Sequence, residues 1–238
     1  MRGLGRPGLR RDESGISLIE LLVAMVLTTI VMLIAVGLFS QIMNVSQSAG
    51  SLNTNTRQAA NGMNEMARII RAGTNNPVKN QLTPSPAFVA ASAESLTIYT
   101  YVNQSSSDQT PKMVRFRVVR SGTGSAATAT LVEDTWAATA TTDKYWTFPA
   151  ASTTPASSRT LASTVAAAST STPLFTYLDG DGNPIAVPGT GFTAAQLGTI
   201  ASVKVVLTIQ KSVANATSQV TLQNTVGIPN LTLARRSS

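Results

Sequence analysis

The sequence predicts an α+β fold, in which a long N-terminal helix that begins in a membrane precedes an antiparallel β-sheet of four or more strands. Three observations predict it. Ile16 to Phe39 holds 24 residues with a single charge, Glu20. Apolar residues then recur at helical spacing as far as Ile70, and past Gly73 the pattern changes to the period-two alternation of strands.

The first element is the apolar run. At about 1.5 Å per residue it makes a helix about 36 Å long, enough for a hydrocarbon core of about 30 Å. An ordinary secretory signal has a shorter apolar core, about 7–15 residues. Arg10 and Arg11 stand just before the run and stay cytoplasmic under the positive-inside rule. Residues beyond about 40 then lie on the outer side of the cytoplasmic membrane. Glu20 is the anomaly, because a carboxylate in a membrane helix costs several kcal/mol unless it is paired.

The second element continues the first. Ile42, Val45, Ala49, Leu52, Ala59, Met63, Met66 and Ile70 trace one stripe, with Asn44, Gln47, Asn61, Arg68 and Arg71 opposite. Gly73 and Asn75-Asn76-Pro77 stop the helix at about Ala72. Gly50 and Gly62 are expected to bend it.

The third element is the sheet. Leu96, Ile98, Thr100 and Val102 share one strand face, as do Val114, Phe116 and Val118, with Arg115 and Arg117 opposite. Leu174 to Leu178, Ser202 to Gln210 and Val220 to Val226 supply further strands, with Val203, Val205, Leu207 and Ile209 inward. The stretch 121–172 is dominated by Ala, Ser and Thr. It reads as an insertion with some strand content and long exposed loops.

Composition narrows the function. The chain has no Cys and no His, which removes thiolate nucleophiles, the commonest general base and the commonest zinc ligands. The remaining acidic residues form no convincing catalytic pair, so no enzyme is expected. Of the formal +7 charge, +5 remains from Ile16 onward, and it is scattered. The densest basic group is Lys112, Arg115, Arg117 and Arg120, read as a solvated strand face. Its sharper reading is contact with DNA phosphates or an acidic partner.

Ser14-Gly15-Ile16-Ser17-Leu18-Ile19-Glu20-Leu21-Leu22-Val23-Ala24-Met25 resembles the signature of type IV pilins and pseudopilins. The resemblance implies a pilin-like fold. It also implies cutting between Gly15 and Ile16 by a prepilin peptidase, N-methylation of Ile16, and pairing of Glu20 with an α-amine in an assembled filament. Ile16 departs from the Phe or Met that usually begins the mature chain. The segments 57–72 and Tyr177 to Pro184 resemble minor pilins of the PilW/PulJ kind. Residues 1–15 would then be a leader, 16–39 a membrane helix, 40–72 its amphipathic continuation and 73–238 an extracytoplasmic head. The implied partners are other pilin subunits, the peptidase and the membrane. The implied role is to initiate or cap a type IV pilus, competence filament or secretion pseudopilus. A filament-tip adhesin or DNA-binding subunit, and an anchored protein that never polymerises, are the alternatives.

Asp179, Asp181 and Asn183 offer oxygen ligands at alternate positions, as a Ca²⁺ loop does. Pro184 and Thr190 stand where an EF-hand needs Gly and Glu, and a hairpin turn built on the Asp-Gly pairs explains the same residues. The turn is the favoured reading, so no cofactor is expected, and Ca²⁺ is the alternative at these residues.

Overall fold

Helix α1 spans Leu18–Arg71, and the apolar periodicity that predicts it runs through both halves. The computed structural model describes residues 17–102, 110–123, 128–141, 143, 145–166, 172–189, 191–210, 218–229 and 231. The chain divides into two compact units, 1–48 and 49–238.

In the first unit, the described residues from Leu18 onward are helical and exposed throughout. Leu18, Met25, Val31, Leu33 and Phe39 all face outward. By length and composition the helix can cross a membrane. Thr28 and Thr29, within the apolar run, do not spoil this. Thr28 Oγ1 donates to Ala24 O at 2.7 Å and Thr29 Oγ1 to Met25 O at 2.8 Å, so both hydroxyls are spent inside the helix.

The second unit begins with the rest of α1 and continues with β1 (Phe88–Ala91), β2 (Ser95–Thr100), β3 (Lys112–Ser121), β4 (Thr128–Ala137), β5 (Thr139–Ala140), β6 (Trp146–Thr147), β7 (Ser157–Ala162), β8 (Phe175–Leu178), β9 (Pro184–Ile185), α2 (Ala194–Thr199), β10 (Ser202–Ile209) and β11 (Val220–Gly227). The strands form two main antiparallel sheets, where the sequence suggested one. One has the order β1-β2-β3-β4-β7, the other β11-β10-β8-β9, and β5 and β6 make a small hairpin of their own. The helix-plus-sheet arrangement is the α+β, pilin-like architecture that the sequence predicts.

Burial on α1 starts at Asn55, not at Ile42. Ile42, Val45 and Leu52 stay exposed, whereas Ala59, Met63, Met66 and Ile70 sit in the core. The stripe is therefore one pattern with two environments. Asn55 fills its gap, donating from Nδ2 to Ser218 O at 2.8 Å. Helical hydrogen bonding is unbroken at Gly50 and Gly62. Gly62 serves close approach instead: a Cβ there would lie 3.2 Å from Leu207 Cδ2 of β10 and 3.8 Å from Leu131 Cδ2 of β4. It marks where the helix meets both sheets at once.

The core lies between α1 and the inner sheet faces. Leu96, Ile98, Phe116, Leu131, Phe175, Val203, Val205, Leu207 and Ile209 are all fully buried. Tyr177 of β8 ties the sheets together. Its hydroxyl donates to Ser92 O at 2.8 Å and accepts from Ser92 N at 3.1 Å, in the turn between β1 and β2. Burial pushes its phenol pKa well up.

The segment 121–172 is more than an insertion. It contributes β4, paired with β3 over ten positions from Lys112↔Ala137 to Ser121↔Thr128, and β7 at the sheet's edge. Part of the chain between β4 and β7 folds back over the outer face of the sheet. Trp136 Nε1 donates to Thr153 O at 3.3 Å and to Thr153 Oγ1 at 3.2 Å, and Tyr99 stacks on Phe148 with centroids 4.4 Å apart.

Candidate functional site

The start of α1 is built by a local rule that the sequence states in four letters, Ser17-Leu18-Ile19-Glu20. Ser17 Oγ accepts from Glu20 N at 3.3 Å, and Glu20 Oε2 accepts from Ser17 N at 3.0 Å and from Ser17 Oγ at 3.1 Å. These reciprocal bonds are a capping box, with Ser17 as N-cap and Glu20 at the third helical position. Leu21 N adds the first helical bond, to Ser17 O at 3.1 Å. Glu20 thus has a role within its own chain, satisfying an N–H that the helix start leaves without a partner. Its carboxylate also sits near the positive end of the helix dipole. The Ser-x-x-Glu signal was present in the sequence, and the anomaly of a charge in an apolar run overshadowed it. Gly15 and Ile16 lie outside the described residues, as do Arg10 and Arg11.

The turn at Asp179 is a closed hydrogen-bonded unit. Asp179 Oδ1 accepts from Asp181 N and from Asn183 N, both at 2.9 Å. The backbone adds Asp179 N to Asn183 O at 3.0 Å, and β8 and β9 pair on either side through Leu178↔Pro184. Gly182 takes φ +86°, the left-handed conformation for which the Asp-Gly pair is suited. The Asn183 N–H, helped by that of Asp181, holds the Asp179 carboxyl below the usual carboxylate range. These contacts of the carboxylate all shape the turn. Among the described residues, no group of three or more His, Cys, Asp or Glu side chains is placed to hold a metal.

The basic cluster on β3 is not a free solvated face. Arg115 and Arg117 converge on Asp134 of β4, whose side chain is 0% exposed. Asp134 Oδ2 accepts from Arg117 Nε at 2.6 Å and from Arg115 Nη2 at 2.7 Å, while Oδ1 accepts from Ser158 Oγ at 2.7 Å. Burial works against ionisation of Asp134, and the hydrogen bonds from Arg117, Arg115 and Ser158 outweigh it, holding the carboxyl below its ordinary value. Arg115 also lies over the Trp136 ring, 4.9 Å from its centroid, and donates to Ala151 O at 3.0 Å. Arg120 pairs with Glu94. The physical reason for the difference is register: Arg115 stands directly opposite Asp134, a cross-strand neighbour 19 residues away that no local pattern reveals.

A second charged group joins α1 to the sheet. Glu65 of α1 accepts from Arg68 at 2.6 Å and 3.0 Å and also pairs with Arg159 of β7, which reaches Glu133 Oε2 at 2.8 Å. The bond from Arg68 holds the Glu65 carboxyl below its usual range. Each of these four charges has an opposite charge beside it.

The N-terminal segment matches the prokaryotic N-terminal methylation motif over residues 10–36. No curated protein matches the chain. The motif covers the Gly15–Ile16 junction, the Ser17–Glu20 box and most of the exposed apolar helix. An N-terminus of this kind marks a type IV pilin-like protein that prepilin peptidase processes.

Proposed function

We propose that this chain is a minor pilin or pseudopilin, a structural subunit cut after Gly15, methylated on Ile16 and drawn from the cytoplasmic membrane into a type IV filament, which it initiates or caps. The observation that carries the reading is the methylation motif over residues 10–36, set on a helix whose outward side chains from Leu18 to Phe39 are apolar apart from Glu20, Thr28 and Thr29. Such a surface has a place in lipid before assembly and among other helices after it. A head with a complete, charge-satisfied core fits a structural role, since its ion pairs rigidify instead of reacting. The large 121–172 region supports a minor subunit, because loops of that size are awkward when repeated along a close-packed shaft.

Glu20 has two successive roles in this reading. In the waiting subunit it caps α1 through Ser17; in the filament it accepts the α-amine of Ile16 from its own or a neighbouring chain. Mass spectrometry of the native protein tests the processing. The expected species begins at Ile16 and is one methyl group heavier than the unmodified chain. An intact Met1 end in a cell that carries the peptidase would overturn the reading. Glu20→Gln separates the two roles, because Gln also closes a capping box but carries no charge. Normal membrane insertion with failed incorporation into filaments is expected, and normal incorporation would show that the charge is dispensable.

A further inference from the structure

The two main sheets end in four edge strands, and three of them carry devices that block further pairing. β1 has four residues and a register shift between Phe88 and Ala90, and α2 packs beside it. β7 carries Arg159 and pairs with β4 through another register shift. β9 has two residues and begins with Pro184. Short length, bulges, proline, charge and a covering helix are the usual protections of an edge.

β11 has none of them. It is eight residues long, Val-Thr-Leu-Gln-Asn-Thr-Val-Gly, without charge or proline. It pairs with β10 residue for residue, from Ser202↔Gly227 to Ile209↔Val220, with no shift. Among the described residues, only β10 is hydrogen-bonded to its backbone, so its other side presents a row of open donors and acceptors. Thr221, Gln223, Thr225 and Gly227 are exposed on the outer face, while Val220, Leu222, Asn224 and Val226 face inward.

We propose that this edge pairs antiparallel with β11 of a second copy of the chain, about a two-fold axis at Asn224. The sequence of the strand selects the occupant. With Asn224 opposite itself, Leu222 meets Val226 of the other copy, Gln223 meets Thr225 and Thr221 meets Gly227. Apolar residues face apolar ones and amides face hydrogen-bonding partners, the kind of cross-strand pair that stabilises a ladder. Shifting the axis to Gln223 would set Leu222 against Asn224 and lose that match. A neutral strand meets its own copy without repulsion, whereas it offers a charged partner no attraction. Two paired strands bury less than the roughly 1,200 Å² of a standard interface. The contact is therefore weak between free molecules and gains from co-confinement in one membrane. The inference needs the membrane anchor but not cleavage at Gly15.

The absence of cysteine makes the test clean. Full-length Asn224→Cys chain in phosphatidylcholine vesicles is oxidised with copper phenanthroline and run on a non-reducing gel. About tenfold more disulfide-linked dimer is expected than for Thr221→Cys, whose own copies stand about 20 Å apart along the paired strands. A mixture of Gln223→Cys and Thr225→Cys chains, both on the exposed face, should link across the same axis and covers the case in which Asn224→Cys misfolds. Adding Thr225→Lys to Asn224→Cys should abolish the dimer with the far-UV spectrum unchanged. Equal yields at 221 and 224, indifference to Thr225→Lys, absence of both dimers, or, in native membranes, a disulfide to a different protein would each overturn self-pairing.

Discussion

The N-terminal helical stretch and the head answer the same problem, where to put polar and apolar groups, in opposite ways. Along 18–39 the apolar side chains point outward, and the few polar ones are turned back on the helix: Glu20 on Ser17, Thr28 on Ala24, Thr29 on Met25. In the head the apolar residues are inside, and two carboxylates are buried too, Asp134 under two arginines and Glu133 against Arg159. The two regions therefore draw their stability from different sources. The exposed helix depends on its solvent and neighbours, because it buries nothing by itself. The head depends on its own packing and on a few long-range polar ties.

Removing Asp134 should cost the head most. Asp134→Ala leaves Arg115 and Arg117 without their shared acceptor inside the sheet. Breaking a buried pair from one side typically costs about 3–5 kcal/mol, and the partial exposure of both arginines places this case near 3. For a head of this size that lowers Tm by about 6–12 °C, measurable by calorimetry or circular dichroism of the chain in detergent. The pH dependence has a definite sign. The folded carboxyl titrates below its unfolded value, about 3.9, so its contribution is complete above about pH 4 and is lost as pH falls through the folded value. Asp134→Asn should flatten that part of the acid limb, and an unchanged limb would show that other carboxylates set it.

Gly62 gives a smaller and purely steric probe of the same interior. Gly62→Val places a branched side chain where even a Cβ would stand 3.2 Å from Leu207 and 3.8 Å from Leu131. Overpacking of this kind costs about 1–3 kcal/mol, more than the improved helix propensity returns. Gly50→Val is the matched control, since nothing lies within 4 Å of a Cβ there. Equal melting temperatures for the two variants would contradict the close approach of α1 to the two sheets.

How far the sequence could be read tracks the same division. Helix α1 was legible from spacing alone, and so was β10, because Val203, Val205, Leu207 and Ile209 alternate without interruption. What spacing cannot show is which neighbour a pattern faces. The stripe from Ile42 to Ile70 reads as one face, yet the head takes it up only from Asn55. Strand β4 was harder to see within an Ala/Ser/Thr-rich stretch, since its identity comes from ten partners on β3 and not from its own composition. The arginines of β3 were legible as a cluster, while Asp134, the residue that gives them a purpose, belongs to that same unpromising stretch. At the N-terminus the opposite happened. The Ser17–Glu20 box is wholly local, yet a lone charge in an apolar run reads first as a membrane anomaly and only second as a cap.

A change on the exposed helix should act on lipid and neighbouring helices and leave the head alone. Leu27 is 58% exposed on the helix and is not among the buried residues of the head's core. Leu27→Ala should therefore leave the head's melting transition within about 0.5 kcal/mol of the parent. The same change removes apolar surface worth about 2 kcal/mol wherever that side chain is buried in lipid or against another helix. Its effect belongs in membrane partitioning or in recovery of the protein in filaments. Measuring both on one sample separates the regions: a head transition that stays fixed while partitioning weakens is the signature of a helix whose packing partners lie outside its own chain. A head that melts earlier on loss of Leu27 would mean that the two units share stability, and the contrast between them would fail.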